Sequence, residues 1–154
     1  MMSSDGIEIR AARGEDLGEV VQLLADDLLG GGREDANSNL SLYEAAFAEI
    51  DADPRNTVYV AARDGQIIGC YQLTVIPNLS FKGARRAQIE GVRVAASARG
   101  LGLGERLMRH ANDRAKQEGC KLVQLTSNNE RPDALRFYER LGFKPTHTGF
   151  KLYL

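Results

Sequence analysis

The chain is poor in the residues that build disulfide frameworks and metal centres. Its 154 residues include two cysteines and two histidines. Cys70 and Cys120 each sit in or at the start of an apolar, strand-like run, which reads as packing rather than catalysis by a thiol. They have no metal-type spacing, and no disulfide is expected between them. His110 and His147 are too few and too far apart to argue a metal site. No apolar run approaches the ~20 residues that span a bilayer. The formal net charge of −1 argues against a general nucleic-acid binder. The opening Met1-Met2-Ser3-Ser4-Asp5 carries no signal-peptide pattern, so a cytoplasmic location is the expectation. Internal repeats, low-complexity segments and composition shifts are lacking. Residues 1–154 are therefore expected to form a single domain.

What is present is a 43% hydrophobic chain whose periodicity alternates between strand and helix. Ile7 to Arg10 reads as a strand. Arg13 to Leu28 reads as a helix with Leu17, Val20, Val21, Leu24 and Leu28 on one face. Gly30-Gly31-Gly32 breaks the chain before a polar stretch to Asn39, which reads as a lid or a plain connector. Ser41 to Asp51 is the second helix, stopped by Pro54. Thr57–Ala62 and Gln66–Ile76 form a hairpin around Asp64-Gly65, a strong turn signal. Pro77–Gly83 is a loop, and Ala87–Val94 a further strand. A helix, a strand over Lys121–Leu125, a helix opening at Pro132, and one or two strands within Phe143–Leu154 complete the chain.

The glycine-rich run Arg99-Gly100-Leu101-Gly102-Leu103-Gly104 lies between a strand and a helix. The helix places Leu103, Leu107, Ala111 and Ala115 on one face. Glycines let the backbone approach a ligand without a Cβ in the way. The helix start adds unpaired N–H groups and the positive end of the dipole. Together they suit a phosphate or pyrophosphate. The run is not a P-loop, because no Gly-Lys-Ser/Thr follows. It is a poor dinucleotide fingerprint, because counting from Gly102 the sixth position is Leu107, and no series of βαβ units precedes it. This argues against a dinucleotide-binding oxidoreductase.

Arg99, Gly102 and Gly104 fill the pattern Arg/Gln-x-x-Gly-x-Gly/Ala, which resembles the acetyl-CoA loop of the GNAT superfamily of N-acetyltransferases. Downstream, Ala134 to Phe143 is similar to the Ala-x-x-Phe-Tyr-x-x-x-Gly-Phe signature of the same superfamily. In that stretch Pro132 and Asp133 suit a helix start, and Gly142 suits the residue just past its end. The resemblance covers Gln88 to the C-terminus. The tail Thr146–Lys151 is also similar to the end of aminoalkylphosphonate N-acetyltransferases. The implied fold is the GNAT-like α+β fold, a mixed sheet flanked by helices in the order β-α-α-β-β-β-α-β-α-β.

The resemblance implies acetyl-CoA as co-substrate and direct transfer of its acetyl group to a primary amine. The backbone of Arg99, Gly100, Leu101, Gly102, Leu103, Gly104 and Glu105 would hold the pyrophosphate. Arg99, Arg106 and Arg109 could add charge, although Arg106 and Arg109 also read as ordinary solvated helix positions. The pantetheine arm would pair with backbone at Val92, Arg93 and Val94. A backbone N–H of Val92 or Arg93 would stabilise charge on the thioester oxygen. Tyr138 would protonate the leaving sulfur, the alternative being that it only packs. Asn128 resembles the asparagine that contacts pantetheine or a water. The second asparagine usual in the family is replaced here by Arg131.

An alkylammonium must lose a proton before attack. Glu90, between Ile89 and Gly91, is the candidate base, directly or through a water. The competing reading pairs it with Arg86 or Arg93. The acceptor, a small-molecule or peptide amine, is expected to meet Asp26–Tyr43 and Pro77–Arg86. Acidic residues in the first stretch would suit a cation, and Phe81, Lys82, Arg85 and Arg86 in the second an anion; both also read as solvated surface. No metal, nucleic acid or membrane partner is expected, and a homodimer is left open. The alternative function is a non-catalytic acyl-CoA-binding regulatory module.

Overall fold

The computed structural model describes residues 5–26 and 39–154. The chain divides into two compact units, Met1–Gln124 and Leu125–Leu154. The glycine segment read as a lid or connector lies outside the described residues up to residue 38.

The first unit is built on a five-stranded mixed sheet in the order β1-β2-β3-β4-β5. Its strands are β1 (Glu8–Ala11), β2 (Asn56–Arg63), β3 (Gln66–Ile76), β4 (Arg86–Val94) and β5 (Leu122–Leu125), the last reaching into the second unit. Strands β1 to β4 pair antiparallel in succession. The β2–β3 hairpin closes through Asp64 and Gly65, both with positive φ (52° and 77°), as the expected turn requires.

The helices are α1 (Leu17–Ala25), α2 (Leu40–Ala52) and α4 (Leu103–Gln117), with α3 (Ser80–Gly83) a single turn in which Phe81 and Lys82 are left-handed, φ 52° and 60°. The first expected helix starts four residues late, after a 3-10 turn over Gly14–Asp16. Asp16 causes this. Its buried carboxylate accepts from both Arg10 guanidinium nitrogens, at 2.7 and 3.0 Å, and from the Arg13 N–H at 2.7 Å. That arrangement ties the end of β1 to the start of α1.

α1 covers one face of the sheet, with Val20 and Leu23 packed among Val60, Ile67 and Cys70. α4 packs against β3 and β4 through Leu103, Leu107 and Met108, each at most 1% exposed. Each such burial stabilises by about 1.5–3 kcal/mol. Gly69 lets α4 come close: a Cβ there would lie 3.1 Å from Leu107 Cδ1, 3.2 Å from Leu103 Cδ2 and 3.3 Å from the Arg93 carbonyl. Farther along α4, Tyr71 Oη and His110 Nδ1 are 2.7 Å apart, Tyr59 stacks on Tyr71, and Arg114 Nε donates to Tyr59 Oη at 3.0 Å. The helix ends in a Schellman cap, with Cys120 N–H on the Ala115 carbonyl and Gly119 N–H on that of Lys116.

The second unit carries α5 (Pro132–Arg140), with Pro132 at its start and Asp133 in its first turn, as expected. Gly142 (φ 94°) follows the helix, and the cap is again a Schellman motif: Phe143 N–H to the Tyr138 carbonyl at 3.1 Å, Gly142 N–H to that of Glu139 at 3.0 Å. The closing strand or strands expected within Phe143–Leu154 are not formed. A strand exists only where another edge takes its hydrogen bonds, and this segment has no ladder. Its apolar side chains Phe150, Leu152, Tyr153 and Leu154 all stay exposed. The observed order therefore stops at β-α-α-β-β-β-α-β-α, leaving aside the single turn α3.

Candidate active site

β4 carries three features in succession: Glu90, a bulge, and then the glycine loop. Cys70 pairs with Arg93, and Gln72 pairs with Glu90. One residue of β3, Tyr71, therefore faces two of β4, Gly91 and Val92. Gly91 has φ +63°, the left-handed conformation that starts a bulge of the glycine type. A lone glycine inside a strand pattern is the usual sequence signal for a bulge, so Gly91 is a site residue that the motif reading passes over. The bulge interrupts the ladder at Gly91 and Val92, and pairing resumes at Arg93; the acyl contact is expected at Val92 and Arg93. The Cys70 thiol donates to the Gly91 carbonyl at 3.5 Å, and Arg93 Nη1 donates to the Val92 carbonyl at 2.9 Å.

The loop that follows has the geometry of an anion cradle. Gly100 and Gly102 have φ of +83° and +71°. Gly102 caps α4 without any side-chain hydrogen bond to the first turn. The N–H groups of that first turn thus remain uncapped at the positive end of a 15-residue helix. Backbone N–H groups and the helix dipole fit a pyrophosphate there. Of the three arginines considered, Arg106 bonds Asp5 at 2.6 Å and Arg109 bonds Glu105 at 2.7 Å. Arg99 is exposed and makes no ion pair among the described residues. It is the guanidinium best able to meet an incoming phosphate.

Glu90 is exposed and makes no ion pair among the described residues. Arg86 instead donates to Gln124 Oε1 and Ser80 Oγ, both at 3.2 Å, and lies 5.7 Å from the Phe81 ring centre. The alternative that Glu90 pairs with Arg86 or Arg93 is therefore not what the fold adopts. Glu90 lines a cavity of about 280 Å³ between α1, α2 and the sheet, together with Leu17, Leu24, Phe47, Ile50 and Gln72. The helix periodicity of Leu17 and Leu24 reads as core, yet both are only half-buried and border this space.

In the second unit, Tyr138 is half-buried, its ring 5.1 Å from Phe137 and 5.9 Å from Phe143. The Schellman cap explains this part of the signature: Gly142 turns the chain, and Phe143 returns onto the ring of the residue whose carbonyl it bonds. Asn128 Oδ1 accepts from the Glu130 N–H at 2.8 Å, which leaves its amide nitrogen for another partner. The Arg131 N–H donates to the Asn128 carbonyl at 3.0 Å and leads into α5.

Burial pushes the Cys70 thiol up to about 12 and raises that of Cys120, so neither is a thiolate at neutral pH. Among the described residues no group of three metal-ligating side chains exists, and no helix is long and apolar enough to cross a membrane.

Residues 19–143 match the model of the acetyltransferase (GNAT) family. The chain is 29% identical over 143 residues to the aminoalkylphosphonate N-acetyltransferase of Salmonella typhimurium, covering 93% of this chain and 88% of that one. Its fold matches a transcriptional regulator from Bacillus halodurans C-125 at a TM-score of 0.92 and 46% identity, over 96% of this chain and 99% of the other. A predicted acetyltransferase from Clostridium acetobutylicum, solved with acetyl-CoA, shares the fold at a TM-score of 0.74 and 19% identity, over 96% of each chain.

Proposed function

This chain belongs to the acetyltransferase (GNAT) family, and from that premise we propose that it transfers an acetyl group from acetyl-CoA to a primary amine. The observation that carries the reading is the succession on one strand and its loop: an unpaired carboxylate, a glycine bulge, and an uncapped helix N-terminus. In the family acetyl-CoA is the co-substrate, and its thioester supplies an activated acetyl group. The first-turn N–H groups of α4 and Arg99 hold its pyrophosphate. The backbone of Val92, in the bulge, and of Arg93, just after it, lies alongside the pantetheine, with Val94 continuing the strand. A backbone N–H of Val92 or Arg93 stabilises negative charge on the carbonyl oxygen. Glu90 takes a proton from the ammonium, directly or through a water. The Tyr138 phenol returns a proton to the departing sulfur, and Asn128 steadies the pantetheine arm. The Arg131 side chain takes the place of the family's second asparagine.

The test is thiol release from acetyl-CoA with a panel of primary amines, followed by mass spectrometry of the products. Amine-dependent release with an acetylated amine is the expected outcome. Binding without release would favour a second reading, a non-catalytic acyl-CoA-binding regulatory module. The Bacillus halodurans protein described as a transcriptional regulator favours that second reading. The net charge of −1 weighs against direct contact with nucleic acid.

A further inference from the structure

Resting on the transfer reading above, we propose that the acceptor is a primary amine carried on an apolar arm. Its ammonium meets Glu90, and its arm lies in the cavity beneath α2. The lining makes the case. α1 contributes Leu17, Val20 and Leu24, and α2 contributes Phe47 and Ile50. α2 buries none of its residues. Its apolar stripe, Tyr43, Phe47 and Ile50, follows helical spacing and is only half-buried along this space. An apolar arm would give the stripe the packing it otherwise has only in part.

The polar groups lie at the sheet end of the cavity. Glu90 and Gln72 are cross-strand partners there, so a carboxylate and an amide share one spot. That spot suits an ammonium, which brings donors and a positive charge. The one guanidinium of the described lining, Arg13, is exposed and stands 3.5 Å from Glu15. An acceptor with a phosphonate or carboxylate on its arm would set that anion against leucine and phenylalanine side chains. At about 280 Å³ the cavity lies near the lower end of the ~300–1,000 Å³ typical of small-molecule sites. The acceptor class therefore differs from the one named for the Salmonella relative.

The experiment compares kcat/KM for propylamine, butylamine and hexylamine with that for 2-aminoethylphosphonate and β-alanine, at saturating acetyl-CoA. The expected result is a rise of about fourfold per added methylene, each burying about one methylene's worth of surface. Hexylamine should then exceed both anionic amines. Phe47→Asp should flatten the dependence on chain length and leave acetyl-CoA affinity unchanged. A flat series, or preference for the phosphonate or β-alanine, overturns the acceptor class and leaves the transfer reading standing. If no amine is acetylated, the transfer reading fails and calorimetry with hexylamine decides the cavity. Binding that Phe47→Asp weakens supports an apolar amine site; no binding overturns it.

Discussion

Replacing Gly102 separates the loop's structural role from its binding role. A Cβ at Gly102 would meet nothing within 4 Å, so steric clash is absent and only the backbone matters. Its φ of +71° costs an L-residue about 1–2 kcal/mol. For a domain of this size that lowers Tm by roughly 2–8 °C. Gly119 is the matched control. It lies just beyond the other end of α4 with φ +76° and the same open space. Gly119→Ala and Gly102→Ala should therefore lose similar stability. Binding should part them. Gly102→Glu sets bulk and negative charge before the first-turn N–H groups. If two charge-assisted hydrogen bonds are lost at about 1.5–3 kcal/mol each, CoA affinity falls by about 10²–10⁴. A glutamate at a helix start is itself mildly favourable, so Tm should fall no further than in Gly102→Ala. Differential scanning calorimetry and isothermal titration with CoA read both effects. CoA binding by Gly102→Glu within about threefold of the parent, or equal weakening by Gly119→Ala, would refute the assignment of the loop.

Other perturbations follow from the same contacts. Gly69→Val should destabilise by about 1–3 kcal/mol, because the added atoms press on Leu103, Leu107 and the Arg93 carbonyl; urea unfolding measures it. Asp16 is held below the usual carboxylate range, first by the Arg10 hydrogen bond. Its contribution is full above the unfolded value near ~3.9 and is lost as pH falls through the folded value. Asp16→Asn should remove that acid-side loss from a plot of stability against pH. Tyr138→Phe should keep CoA affinity and lower kcat by about 10²–10⁴ if the phenol is the acid; unchanged single-turnover chemistry would leave it a packing residue.

What the sequence discloses here is mostly local. The Asp64-Gly65 turn, the Pro132 start and Gly142 end of α5, and the glycine loop each depend on neighbouring residues and appear where expected. The α1 boundary shifts because a distant residue, Arg10 on β1, captures Asp16. The closing strand is missing for a related reason: the spacing of Phe150, Leu152 and Leu154 suits a strand, but pairing requires an edge that spacing cannot supply. Gly91 shows the same limit. Its identity permits a bulge, whereas its register opposite Tyr71 makes one. The cavity beside Glu90 is least legible, since half-buried Leu17 and Phe47 share the pattern of ordinary core positions.

The most direct test of acetyl transfer is a quenched single-turnover reaction with isotopically labelled acetyl-CoA, excess enzyme and hexylamine, run in parallel with Glu90→Gln. The account predicts that label moves to the amine nitrogen with one free CoA thiol per acetylamine, and that Glu90→Gln slows the step by about 10²-fold or more. Labelled acetyl-CoA recovered intact from an enzyme that binds it, across the whole amine panel, would contradict the account.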